Sequence, residues 1–178
     1  SAGIPDQQTL FSSEGTDAHT LAEIRLKAVL GMECDSKVED LKWYSKEMED
    51  YIADYVSYVL EKIEEAKKIC KDPVVLVEQK VSAKKYDDNL YGTTDVAIIA
   101  DNHLTIIDLK YGKGVQVFAK ENVQEMIYGI CCLETFGDLY DIDEVTLCIF
   151  QPRLNSVSEW TVTVDELYKW AEEVLKTG

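Results

Sequence analysis

The chain has 178 residues, 46% apolar and 29% charged, with 34 acidic against 18 basic side chains and a formal charge of −16. That balance suits one soluble, globular domain with a sizeable core and excludes a disordered chain. It also argues against a protein that coats nucleic acid indiscriminately, because affinity for the phosphate backbone normally comes from Lys and Arg.

No apolar run approaches the ~18–20 residues needed to cross a bilayer, and the opening SAGIPDQQTLF lacks the basic and apolar regions of a signal peptide. A cytoplasmic protein without membrane attachment is expected. Cys34, Cys70, Cys131, Cys132 and Cys148 are odd in number and show no CxxC spacing, so reduced thiols are expected rather than a zinc site or a disulfide framework. The chain starts without methionine and stops two residues after a helical pattern, which reads as a piece of something longer.

In chain order, Ser13 is placed to cap a helix over 14–30, with Gly31 as its stop. A second helical run covers 39–70, where Leu41, Tyr44, Met48, Tyr51, Tyr55, Val59 and Ile63 recur every three or four residues. Pro73 ends it. Residues 74–83 read as a strand with Leu76, Glu78 and Lys80 on one face, and a polar connection over 84–90 leads into a hairpin. Its strands, 92–100 and 103–110, flank Asp101-Asn102, a pair with strong turn character. Helical spacing returns over 119–135, strands follow at 144–151 and 159–164, and a closing helix over 164–176 has Asp165 as its cap. Residues 14–72 are thus helical and 73–178 carry the sheet, in one α/β domain with helices packed on a sheet.

The hairpin carries the chemistry. With Asp101-Asn102 as the loop, Ala100 pairs with His103 and Asp95 falls opposite Asp108. Facing Cβ atoms in an antiparallel ladder stand roughly 4.5–5.5 Å apart, where like charges repel. A divalent cation held by oxygen ligands offsets that repulsion. Strand alternation puts Lys110 on the face of Asp108, Leu104 and Ile106. Removing the charge with Asp108→Ala is therefore expected to leave folding intact or improved. Distribution matters as well: residues 31–72 hold 12 acids against seven lysines, whereas 79–120 hold six lysines and five aspartates, so a bound cation turns the middle stretch positive.

Other residues fit the same site or a bland role. Gly15 and His19 are spaced i, i+4, and His19 is a metal ligand or a histidine on an amphipathic helix. Gln124 and Tyr128 repeat that spacing, either beside the lysine or with Tyr128 in the core. Glu78, among valines, is a third acidic ligand or a partner for Lys80. Residues 111–114 (YGKG) form a flexible basic loop that lacks the pattern of a Walker loop.

The order GxxxH (Gly15 to His19), GxxD (Gly92 to Asp95), DxK (Asp108 to Lys110) and QxxxY (Gln124 to Tyr128) resembles the RecB-type branch of the PD-(D/E)XK nuclease superfamily over residues 14–128, and most of all its phage and prophage proteins. The resemblance implies a restriction-endonuclease-like αβββαβ core with a mixed sheet, and hydrolysis of DNA phosphodiester bonds with Mg²⁺ or Mn²⁺. It implies that His19, Asp95 and Asp108 hold the metal, that Lys110 serves the water or the transition state, and that Gln124 and Tyr128 give supporting contacts, with Glu78 carried over less directly. Relatives that bind an iron-sulphur cluster use cysteines near both ends; this chain has no such set, so no cluster is expected. DNA is the implied substrate, with a protein partner from a phage recombination system and an oligomer as further expectations. Two other readings stay open: a catalytically silent nuclease-like module that binds nucleic acid or a partner, and a metal-dependent hydrolase of small phosphorylated molecules.

Overall fold

The computed structural model describes residues 12–176, so the signal-peptide reading of the amino terminus lies outside the described residues. The elements are α1 (Ser12–Leu30), a 3₁₀ turn (Val38–Asp40), α2 (Lys46–Ile69), β1 (Val74–Ser82), β2 (Tyr91–Ala100), β3 (His103–Leu109), α3 (Val123–Phe136), β4 (Glu144–Gln151), a second 3₁₀ turn (Pro152–Leu154), β5 (Ser156–Thr163) and α4 (Val164–Val174). The α/β order expected from periodicity is the one observed.

The helix starts differ from expectation because capping chemistry decides them. Ser13 lies inside α1 rather than at its cap. The 39–70 run is broken, and α2 begins at Lys46, where Ser45 accepts from the Met48 N–H. Asn122 caps α3 by accepting from Glu125, and Thr163, not Asp165, caps α4 by accepting from Glu166. In each case a hydroxyl or amide oxygen satisfies an amide of the first turn that has no helical partner.

The sheet has strand order β1-β2-β3-β4-β5. Every neighbouring pair is antiparallel except β3 with β4, which α3 joins by crossing one face. Helices cover both faces. α1 and α2 pack with Val96, Ile98, Ile107, Leu109, Cys148 and Phe150 on one side, and α3 and α4 pack with Ala97, Ile99, Leu104, Ile106, Val145 and Leu147 on the other. This alternation within β2, β3 and β4 explains their near-continuous apolar runs, since both faces are buried. The bonds Trp43 N–H to Asp17 Oδ2 (2.8 Å) and Arg25 Nε–H to Glu49 Oε2 (3.0 Å) tie α1 to α2 and its preceding turn. Arg153 Nη1 pairs with Glu14 Oε1 at 2.8 Å, holding the first turn of α1 against the turn between β4 and β5.

Leu147 is fully buried in the centre of the α3/α4 layer. Leu147→Ala is expected to cost about 2–5 kcal/mol, measured as a lower urea midpoint with an unchanged slope.

Candidate functional site

The site begins with a fault in the sheet. Along β1, Val75 and Val77 face the α1/α2 layer, and Val74 and Leu76 face the other. Alternation would return Val81 to the side of Val77, yet it packs in the α3/α4 layer. The phase slips at Glu78, whose φ is +52°. β2 slips opposite it: Val96 and Ile98 face α1 and α2, whereas Thr94 meets Cys132 of α3. The ladder pairs Val77 with Val96 and Gln79 with Thr94, passing over Glu78 and Asp95. Each strand carries one unpaired residue, so the register survives while both strands change phase. The expected common face for Leu76, Glu78 and Lys80 therefore does not exist.

The fault places Asp95. β2 and β3 pair in the register that the Asp101-Asn102 turn sets, from Ala100↔His103 to Val96↔Ile107. Beyond that point the Leu109 N–H donates to Asp95 Oδ2 at 2.7 Å instead of to a strand carbonyl. The carboxylate thus lies in the plane of the sheet, in the gap where the two strands part. Asp95 and Asp108 are neighbours, but they are not the flat cross-strand pair that the register alone suggests.

Each carboxylate has its own cation. His19 Nδ1 donates to the Gly15 carbonyl at 2.8 Å, and Nε2 donates to the Leu109 carbonyl at 2.7 Å while standing 3.5 Å from Asp95 Oδ2. Carbonyls accept only, so both nitrogens carry hydrogen and the ring is cationic. Burial works against that charge, but the charge and hydrogen bond of Asp95, the Gly15 carbonyl and the charge of Asp108 outweigh it and hold the pKa up at about 10. Gly15 is not needed for space, since a Cβ there would meet nothing within 4 Å. On the other side, Lys110 Nζ is 3.0 Å from Asp108 Oδ2 and donates to Gln124 Oε1 at 3.0 Å. Burial would raise the Asp108 carboxyl, but the Lys110 ammonium and the neighbouring Glu125 hold it below the usual range. Asp95 is raised by burial, which exceeds the opposing pull of His19 and the Leu109 amide. The repulsion between the two acids does not by itself require a metal, because His19 and Lys110 already compensate them. Asp108→Ala would strip Lys110 of its nearest anion and destabilise the fold rather than improve it.

Glu125 of α3 is a further acid at the site, outside the four motifs. It is 0% exposed, neither of its oxygens has a hydrogen-bond partner, and Oε2 is 3.9 Å from Lys110 Nζ. Burial and the Asp108 charge push its pKa well above the carboxylate range. Protonated, it can donate to the Asp108 carboxylate, whose buried Oδ2 faces the Lys110 ammonium. The signal was the i, i+4, i+7, i+11 series Glu125, Gly129, Cys132 and Phe136, which marks the buried face of α3. Tyr128 sits half-buried against the α3/α4 core.

Glu78 lines a cavity of about 10 Å³ with His19, Asp95, Leu109 and Tyr55, room for one water-sized particle. Tyr55 Oη is buried there without a hydrogen-bond partner. Burial and the Asp95 charge raise Glu78 to about 7. Among the described residues no three His, Cys, Asp or Glu side chains are drawn together as a ready metal cage. The donors that do converge include a main-chain oxygen: His19 Nε2, Asp95 Oδ2 and the Leu109 carbonyl.

A family model described as "Protein of unknown function (DUF2800)" matches residues 1–178, and the chain belongs to that family. Among solved structures it is similar to the one titled "Crystal structure of SSO0001", at 14% identity over 88% of this chain and 72% of that chain, with a TM-score of 0.27.

Because the folded pKa of Glu78 lies above its unfolded value, the stability it contributes is full below about 4.5 and is lost as pH rises through about 7. Glu78→Gln is expected to be more stable than the parent by roughly 1–3 kcal/mol at pH 8 and equal to it at pH 4. Chemical denaturation at the two pH values measures this.

Proposed function

We propose that the chain is a Mg²⁺- or Mn²⁺-dependent deoxyribonuclease, an exonuclease hydrolysing DNA phosphodiester bonds. The observation that carries this reading is the convergence on His19 Nε2 of the Leu109 carbonyl oxygen, at 2.7 Å, and of Asp95 Oδ2, at 3.5 Å, beside a lysine that pairs with a second carboxylate. Support comes also from four sequence motifs, of which His19, Asp95, Asp108 with Lys110, and Gln124 gather at the parted ends of β2 and β3.

The donors fit a hard cation. Adjacent ligands of an octahedral ion at 2.0–2.1 Å stand roughly 3 Å apart, which lies between the 2.7 and 3.5 Å spacings from His19 Nε2. His19 Nε2, Asp95, the Leu109 carbonyl and Asp108 would hold it, with Glu78 at the cavity wall. When bound, a divalent cation supplies polarisation of a phosphoryl oxygen and acidification of a water. His19 must first release its Nε2 proton, whose retention the Asp95 carboxylate now favours. The Lys110 ammonium directs one proton to Gln124 and stands against Asp108, leaving another to orient the attacking water or to stabilise charge on the phosphoryl group. The Asp108 carboxylate at 3.0 Å and the Gln124 carbonyl oxygen hold that ammonium in place, against the fully buried Glu125.

A second reading, the silent nuclease-like binding module, is favoured by one observation: His19 and Lys110 neutralise both aspartates without any metal. Asp108→Asn keeps the side-chain volume and an acceptor oxygen for Lys110 but not the charge. It is expected to lower DNA cleavage by a factor of about 10³ or more and also to lower the unfolding midpoint, so cleavage is read well below the variant's own midpoint. The assay uses linear and circular DNA with Mn²⁺, Mg²⁺ or EDTA. Cutting of linear DNA confined to the ends supports the exonuclease, cutting of circles replaces it with an endonuclease, and silence with every substrate leaves the binding module.

Metal binding should also release a proton from His19. Mn²⁺ affinity is expected to rise about tenfold per pH unit between pH 7 and 9, below the His19 pKa, and His19→Gln is expected to flatten that slope. Titration calorimetry in buffers of different ionisation enthalpy counts the proton. An unchanged slope in the variant would exclude His19 as a ligand.

A further inference from the structure

Residues 110–122 link β3 to α3 and leave the site and return to it: Lys110 at one end hydrogen-bonds Gln124 just past the other. The root is fixed by the Lys110 N–H on the Phe150 carbonyl (2.9 Å) and by buried Tyr111, which has Arg153 4.9 Å above its ring. The far part is fastened to β4 and β5. Gln151 receives the Val117 N–H at Oε1 and donates from Nε2 to the Val115 carbonyl, both at 3.0 Å. The Ala119 N–H donates to Ser158 Oγ at 2.8 Å, and Asn122 Nδ2 donates to the Phe118 carbonyl at 3.2 Å. The backbone on both sides of Phe118 is thereby held, and Ala119 is fully buried.

On this fastened backbone the side chains of Phe118 and Val115 are 61% and 77% exposed. A loop anchored so fully could turn a phenyl ring inward at little entropic cost, so an outward ring on rigid backbone is the form of a recognition anchor. The charge around it is opposite to the rest of the chain. Residues 110–122 hold three lysines, Lys110, Lys113 and Lys120, against one acid, Glu121, in a protein of net charge −16. Lys113 and Lys120 are exposed. A flat apolar ring flanked by cations fits a planar base joined to phosphates, which is the chemistry of single-strand binding surfaces.

We infer that residues 110–122 form a stacking platform for single-stranded DNA, with Phe118 under a base and Lys113 and Lys120 on the flanking phosphates. The inference deepens the nuclease reading, on which it rests for the destination of the strand: the platform begins at Lys110 and ends beside Gln124, the pair that stands next to Asp108, so on that reading the strand's destination is the carboxylate site.

The test is fluorescence anisotropy with a labelled oligothymidylate of about 20 nucleotides and a blunt duplex, in EDTA, over 50–200 mM salt. It uses the parent, Phe118→Ala, Phe118→Trp and the double variant Lys113→Gln/Lys120→Gln, each confirmed folded by its melting curve. Phe118→Ala is expected to weaken single-strand binding roughly 5- to 150-fold, with Phe118→Trp binding as well as the parent. The lysine double variant is expected to lower the salt slope by about 1.4, near 0.7 per lost phosphate contact. Parent-like binding by Phe118→Ala, no single-strand binding by the parent, or equal binding of the blunt duplex would each overturn the platform. Cleavage with Mn²⁺ is run in parallel. Binding that depends on Phe118 without cleavage supports the platform and rejects the nuclease reading; cleavage with binding indifferent to Phe118 does the reverse.

Discussion

The hydrogen bond from the Leu109 amide to the Asp95 carboxylate is the contact around which the rest of this molecule is arranged. A carboxylate can enter the plane of a sheet only where two strands part, and parting strands leaves amides and carbonyls without partners. Here the carboxylate takes the amide and His19 takes the Leu109 carbonyl. The two side chains repair the gap that makes room for them. Without that repair the unsatisfied groups would sit at the buried junction of both helical layers, where each costs about 1–3 kcal/mol.

The gap in turn depends on the phase slip at Glu78 and Asp95. A glutamate at φ +52° is held against its steric preference, and strain of this kind is retained where surrounding contacts over-determine it. β1 keeps its register on both sides of the slip. The consequence is that three acids from three adjacent strands, Glu78, Asp95 and Asp108, reach different sides of one small region instead of crowding a single face. Asp95 is served by a histidine from α1, and Asp108 by a lysine whose second partner comes from α3. The two layers meet electrostatically through the sheet, which is why the charge of Asp108 is felt at His19.

Much of this was legible in the sequence, and for identifiable reasons. The Asp101-Asn102 turn set the register of β2 and β3, and a turn is a local feature that neighbouring residues determine. The i, i+4 pair of Gly15 and His19 does make a contact, Nδ1 on the helix carbonyl, and Lys110 does share the face of Leu104 and Ile106. The helix starts were less legible, because a cap is chosen among several serines, threonines and aspartates by the path the chain takes before it. Glu125 was hidden by its charge: in a linear pattern a glutamate reads as solvent-facing, and its burial follows from α3 lying across the sheet at Lys110.

What the amino-acid sequence determined by itself is therefore the order of helices and strands, the hairpin register and the set of polar groups available for chemistry, since these follow from periodicity, turn residues and side-chain type. What the tertiary structure decided is the sign and partner of each charge. A strand alternates faces unless something interrupts it, and the interruption at Glu78 and Asp95 decides which helical layer each later residue of the two strands meets. Whether a buried carboxylate meets a proton, an ammonium or a carbonyl depends on groups 14 to 90 residues away in the chain, a distance over which only the folded arrangement carries information.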